Sequence, residues 1–273
     1  MTYSAAKDYA TGANLQGRVR RVCPSSSEYE HNDRMEITEP IIAATLLVEE
    51  RFPECHVAFL SKTVLGSRRT PTSDLDIVVV LDGPPAPYRE TVRAHGWIVE
   101  LFVHSRDSLP SFYGFDAQTR TCTLARMCAD GYVLRDVRGE AADLQRQARA
   151  VIDAGPTALT EEDRLKYRYA LSDLLDDFRG SANQVEVVFI ACQLLEMAGD
   201  CYLVSERRWT GAGKWLARHL EEAPGDFARR LAATFRSLIA TGDKHPMIDV
   251  VEEILGLAGG PLTEGFVARK PVD

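Results

Sequence analysis

The chain has 273 residues, 45% of them hydrophobic and 26% charged. That is enough length and apolar content for a packed globular core, and it excludes a low-complexity or fibrous chain. A formal net charge of −8 and a pI near 5.4 argue against a protein that grips nucleic acid through its phosphates and favour a neutral or cationic small substrate.

Residues 1–34 are polar, contain Ser25-Ser26-Ser27 and lack periodicity, so a flexible tail is expected. Arg18, Arg20 and Arg21 within it are either a contact patch or a solvated surface. Glu39-Pro40 opens a helix, because proline is tolerated in a first turn. Ile41, Ile42, Leu46, Leu47 and Val48 supply its apolar face, and Phe52-Pro53 ends it. Residues 56–64 are expected as a first strand, running into a Gly/Ser/Thr-rich loop over 62–72.

Thr72-Ser73-Asp74-Leu75-Asp76-Ile77-Val78-Val79-Val80-Leu81 is short and β-branched, the pattern of a buried strand. Strand side chains alternate faces, so Asp74 and Asp76 point the same way. Adjacent carboxylates repel unless a cation lies between them, and Mg²⁺ takes oxygen ligands of this kind. Taken alone, the pair also fits a turn with solvated carboxylates. Beyond Gly83-Pro84-Pro85, a short helix is expected over 88–94 and a strand over 97–103. That strand carries one acid, Glu100, and a charge in a buried strand needs a partner or a metal. His104 closes it, either touching phosphate or held in a hydrogen bond. A helix over 111–130 with Leu124, Met127 and Cys128 on its apolar face is expected to end near Gly131. A short strand at Leu134-Arg135-Asp136 and a charged helix over 140–154 complete this part, and Gly155-Pro156 marks a boundary.

A Gly/Ser-rich loop, then Ser73-Asp74-Leu75-Asp76-Ile77-Val78-Val79, then a carboxylate on a neighbouring strand resembles the nucleotidyltransferase superfamily of DNA polymerase beta type. Within it, the chain is most similar to small bacterial members such as the aminoglycoside and lincosamide nucleotidyltransferases. The resemblance covers roughly residues 59–103. It implies Mg²⁺-dependent transfer of a nucleoside monophosphate from a nucleoside triphosphate to a hydroxyl. By the same resemblance Asp74 and Asp76 hold one or two Mg²⁺ ions, and Glu100 is either the third ligand or the general base. One position departs from the family pattern. The Gly-Ser or Gly-Gly pair that holds phosphates there falls here on Lys62-Thr63, with Gly66-Ser67 closer to Asp74. Either Gly66 and Ser67 position the triphosphate in a shortened loop, or Thr63 supplies the hydroxyl. Ser73 is counted with them as a nucleotide contact.

In the second part, Thr160-Glu161-Glu162-Asp163 is an N-cap with an acidic first turn, opening a helix to about Arg179. Tyr169, Asp173 and Asp177 recur on one side, with Asp176 beside them. They form either a solvated acidic face or a wall for a cationic substrate, with one of the acids a rival general base. Residues 183–204 are apolar nearly all round and predict a central helix, with Glu186 and Glu196 either partner-bonded core acids, the favoured reading, or substrate ligands. Gly211-Ala212-Gly213-Lys214 sits where a helix begins, and Lys214 is the candidate triphosphate ligand there, against a plain surface lysine. Helices over 227–240 and 247–257 follow, then a loop-like tail.

The expected fold class is α+β: a nucleotidyltransferase domain over 35–155 with a small mixed sheet flanked by helices, then an all-helical bundle over 156–273 that binds substrate. The expected partners are a nucleoside triphosphate and a small-molecule hydroxyl acceptor, an aminoglycoside-like antibiotic among the candidates. A homodimer is expected by analogy, and neither a membrane nor nucleic acid is. The alternative function is a catalytically degenerate binding module with an altered phosphate loop. Six cysteines without a Cys-x-x-Cys pair, and no secretory signal, point to reducing cytosol. No apolar run is expected to reach membrane-spanning length.

Overall fold

The computed structural model describes residues 39–267. The expected tail over 1–34, with its arginines and Cys23, lies outside the described residues. Helix α1 (Pro40–Arg51) starts behind Glu39 and buries Ala43, Ala44, Leu47 and Val48. Ile42 and Leu46, assigned to its apolar face from sequence, point outward, at 55% and 38% exposed.

Strands β1 (Val57–Leu60), β2 (Leu75–Leu81), β3 (Tyr88–Ala94), β4 (Trp97–Ser105) and β5 (Tyr132–Asp136) form one mixed sheet in the order β3-β4-β2-β1-β5. Only the β2–β4 pair is parallel. The first strand is shorter than the sequence suggested. Leu60 pairs with Ile77 on one side and Tyr132 on the other. Beyond it β5 offers no ladder partner, and after Ser61, whose N–H still donates to the Asp76 carbonyl of β2 (2.9 Å), the chain curls into a 3₁₀ turn, Lys62–Leu65.

The helix expected over 88–94 is strand β3. Its half-buried and exposed side chains alternate, and it pairs antiparallel with β4 from Tyr88↔Val103 to Ala94↔Trp97. His95 and Gly96, with φ of 48° and 83°, form the two-residue turn that closes the hairpin. The single helix expected over 111–130 is two, α2 (Leu109–Thr119) and α3 (Thr123–Ala129). Arg120, with φ of 61°, breaks them apart. The buried Asp116 carboxylate accepts the Leu124 and Ala125 N–H groups (3.0 and 3.3 Å), so the end of one helix caps the start of the next. Helix α4 (Ala141–Ala154) follows β5.

Helix α1 packs on one sheet face, over Leu75, Ile77, Val79, Val99, Leu101 and Val103. Helices α2 to α4 cover part of the other, over Val57, Phe59, Val78 and Val80.

Among the described residues from Glu161 onward every regular element is helical: α5 (Glu161–Gly180), α6 (Gln184–Ser205), α7 (Lys214–Glu222), α8 (Phe227–Thr241) and α9 (His245–Leu257). The chain is therefore α+β, a mixed sheet flanked by helices followed by a helical C-terminal region. Thr160 and Asn183 cap α5 and α6 through their side-chain oxygens, as their residue types predict. Helix α6 is buried mainly in its second half. Its first turns leave Val185, Val188 and Phe189 exposed at 66%, 39% and 74%, so it is not buried all round. By length and composition this 22-residue helix is apolar enough to span a membrane, contrary to expectation, and half of its apolar stretch is buried inside the molecule. Glu186 and Glu196 are exposed, not core acids. The core acid of α6 is Asp200, at 3% exposed.

The segment after α9 is loop-like and lies along α5. Arg168 Nε donates to the Gly260 carbonyl (2.9 Å), Leu262 N–H donates to Ser172 Oγ (2.9 Å), and Phe266 stacks on Tyr169 at 4.2 Å. The helices that cover the sheet and the C-terminal helical region are joined by direct bonds. Thr210 N–H donates to the Arg120 carbonyl (2.8 Å), Trp209 Nε1 to the Ile152 carbonyl (3.0 Å), and Arg126 pairs with Glu222 (3.2 Å).

Candidate functional site

The parallel pairing of β2 with β4 sets Asp76 directly beside Glu100. Asp74 stands two residues before Asp76, on the same side of the strand. Val78 and Val80 follow Asp76 on that face and are roofed by α2 to α4. The acids sit where the roof stops, half-buried, and β3 leaves this side open through the exposed Arg89, Thr91 and Arg93. One oxygen from each of Asp74, Asp76 and Glu100 lies within 4.8 Å of the others. Three hard oxygen donors suit Mg²⁺ or Mn²⁺. Adjacent ligands of an octahedral Mg²⁺ are about 3 Å apart and opposite ones about 4.2 Å, so the three groups would draw together to share one ion.

The electrostatics of the cluster agree with that chemistry. Burial first, then repulsion from Asp74 and Glu100, push the Asp76 carboxyl up to about 6, while Lys214 and Arg89 pull it down. Lys214, the first residue of α7, is thus one of the two positive charges that favour the ionised form of Asp76. Arg89 was missed from sequence because 88–94 read as a helix. The alternation of Tyr88, Glu90, Val92 and Ala94 against Arg89, Thr91 and Arg93 was the available signal. Its guanidinium donates to Glu100 Oε2 (2.6 Å) and lies 4.7 Å from the centre of the Phe102 ring.

The other sequence candidates fall elsewhere or in part. Ser73 Oγ accepts the Thr70 N–H (2.9 Å), and Ser73 N–H donates to the Thr70 carbonyl (3.1 Å), a tight turn just before Asp74. Thr63 is half-buried in the 3₁₀ turn, and Gly66 and Ser67 are exposed in the loop beyond it. Neither conformation nor space demands glycine at Gly66, where a Cβ would meet only the Lys62 carbonyl at 3.8 Å. Asp173, Asp176 and Asp177 are exposed on α5, and none is among the charges acting on Asp76. Asp176 pairs with Arg179 (2.7 Å). Asp176 and Asp177 line a cavity of about 460 Å³ with Glu186, Phe189 and Ile190, and none of the three clustered acids lines it. His104 is buried, edge-on to Phe112 at 4.6 Å, and burial lowers its imidazole to about 4, so it is a neutral core histidine.

No protein-family model matches the chain. No curated protein matches it either. Among solved structures the chain is similar to a nucleotidyltransferase-like protein from Exiguobacterium sibiricum 255-15, at 14% sequence identity and a TM-score of 0.40, over 81% of this chain and 77% of that one.

Proposed function

We propose that the chain is a nucleotidyltransferase that moves a nucleoside monophosphate from a nucleoside triphosphate to a hydroxyl of a small molecule. The observation that carries this reading is the convergence of Asp74, Asp76 and Glu100 at the open end of a parallel strand pair. Asp74 and Asp76 would hold Mg²⁺, with Glu100 as third ligand. A bound Mg²⁺ supplies neutralisation of charge developing at the α-phosphate and orients the leaving pyrophosphate. Lys214, at the start of α7, is one of the charges that pull the Asp76 carboxyl down, and it would serve the triphosphate as a point charge. Glu100, where it is not a ligand, is the group placed to take the proton of the acceptor hydroxyl. The exposed loop of Thr63, Gly66 and Ser67 lies along the chain between β1 and the acids, and Ser73 holds the turn into Asp74. Asp173, Asp176 and Asp177 give the helical region an acidic surface for a cationic acceptor such as an aminoglycoside. The division into a catalytic part over 35–155 and a substrate-binding part over 156–273 belongs to the same reading.

The second reading, a binding module without catalysis, is favoured by the 3₁₀ turn at Lys62–Leu65, which places a lysine where the family has glycine. Calorimetry with ATP, GTP, CTP and UTP, with and without Mg²⁺, separates the two. The enzyme reading expects Mg²⁺-dependent binding that Asp74→Ala plus Asp76→Ala abolishes, then pyrophosphate release with aminoglycosides or lincosamides. Binding without release with any acceptor supports the module, and no binding of any triphosphate sinks the enzyme reading and leaves the degenerate binding module.

A further inference from the structure

The acid cluster is not neutralised evenly. Among the described residues only Glu100 has a cation in ion-pair contact, Arg89 at 2.6 Å; Asp74 and Asp76 have none. Arg89 makes that contact from β3, an edge strand, with its side chain 52% exposed against 24% for Glu100. It pairs in register with Phe102, and the Phe102 ring supports its guanidinium. Moving the side chain off Glu100 breaks no strand hydrogen bond and buries nothing new. A carboxylate that lends Oε2 to a guanidinium is not free to give the same lone pairs to a cation. Once Glu100 turns to a divalent ion, Arg89 loses its partner and stands half-exposed at the rim of the same cluster. A guanidinium there offers a planar fork of donors matched to phosphate oxygens.

We propose that Arg89 is an exchangeable counter-ion: it neutralises Glu100 while no divalent cation is bound and passes to the triphosphate when Glu100 turns to the cation. This rests on the metal-site reading above. Arg89 is then a phosphate ligand that the ion itself releases, and cation and triphosphate bind each more tightly in the other's presence.

The test uses the whole chain, with Arg89→Met keeping an aliphatic stem over Phe102 and Arg89→Lys as a milder change. Mn²⁺ affinity is measured by electron paramagnetic resonance without nucleotide, and tripolyphosphate affinity by calorimetry in saturating Mg²⁺. Arg89→Met is expected to bind Mn²⁺ about fivefold more tightly than wild type, the size of a modest ion pair removed. It is expected to bind tripolyphosphate about tenfold more weakly, with Arg89→Lys between the two. Unchanged or weaker Mn²⁺ binding by Arg89→Met overturns the counter-ion role, and unchanged tripolyphosphate binding overturns the exchange. If neither wild type nor variant binds Mn²⁺, the metal-site reading itself falls, a result distinct from wild type binding and Arg89→Met making no difference.

Discussion

Asp200 is a buried acid that links several elements of the helical region. Its carboxylate is buried in α6 and accepts two hydroxyl hydrogen bonds, from Tyr167 on α5 (2.9 Å) and from Thr210 ahead of α7. Thr210 in turn donates its backbone N–H to the Arg120 carbonyl (2.8 Å), so the acid ties α5, α6 and the loop entering α7 to the turn between α2 and α3. Each hydrogen bond to a charged acceptor contributes ~1.5–3 kcal/mol. Truncation also relieves the carboxylate's own desolvation, which offsets part of that. Asp200→Ala should therefore destabilise by ~2–4 kcal/mol, which for a chain of this size lowers Tm by roughly 4–16 °C. Asp200→Asn keeps an acceptor for one hydroxyl and should recover about half of the loss. Urea denaturation followed by circular dichroism, together with thermal melts, reads both. An Asp200→Ala melt within about 1 °C of wild type, or an Asn variant no better than Ala, would refute the argument that this carboxylate holds the two hydroxyls.

Asp76→Asn and Asp74→Asn should each weaken Mn²⁺ binding at least tenfold by electron paramagnetic resonance titration, and retained affinity in both would remove the acid cluster as a metal site. Gly131→Ala should destabilise by ~2–3 kcal/mol, because a Cβ there would lie 2.5 Å from the Met127 carbonyl oxygen and 2.7 Å from Phe59 Cβ, neither of which can move away cheaply. A melt unchanged from wild type would show that the α3–β1 contact yields. His104 titrates at about 4 in the fold against roughly 6.5 unfolded, so the unfolded chain takes up the proton first on acidification. Its contribution is intact above pH ~6.5 and is lost as pH falls towards about 4, ~3 kcal/mol in all. His104→Leu should flatten the stability profile in that window, and a profile as steep as wild type would assign the acid sensitivity elsewhere.

Features set within a few residues were legible in the chain itself. Thr160 announced the start of α5, because a side-chain oxygen at an N-cap needs no distant partner. The apolar run after Asp76 announced β2, and the two-residue spacing put Asp74 and Asp76 on one side. Features that depend on a neighbouring strand or helix were not. Residues 88–94 carry alternation as well as polar content that suits a helix, and only the His95-Gly96 hairpin and β4 made them a strand. The first strand stopped at Leu60, where β5 begins at Tyr132 and leaves that side without a ladder partner, although β2 runs on to Leu75. The break at Arg120 follows from Asp116 capping α3, a contact between residues eight apart.

The candidate site divides the same way. The order of residues along β2, with the strand's period of two, determined that two carboxylates face one way beside an apolar core. That Glu100 stands next to Asp76, that Arg89 neutralises it from an edge strand and that the charge of Lys214, more than a hundred residues on, is felt at Asp76 were decided by strand register and helix packing. Local spacing fixes which face a side chain takes; which charges meet across elements depends on how those faces close, and no single segment encodes that.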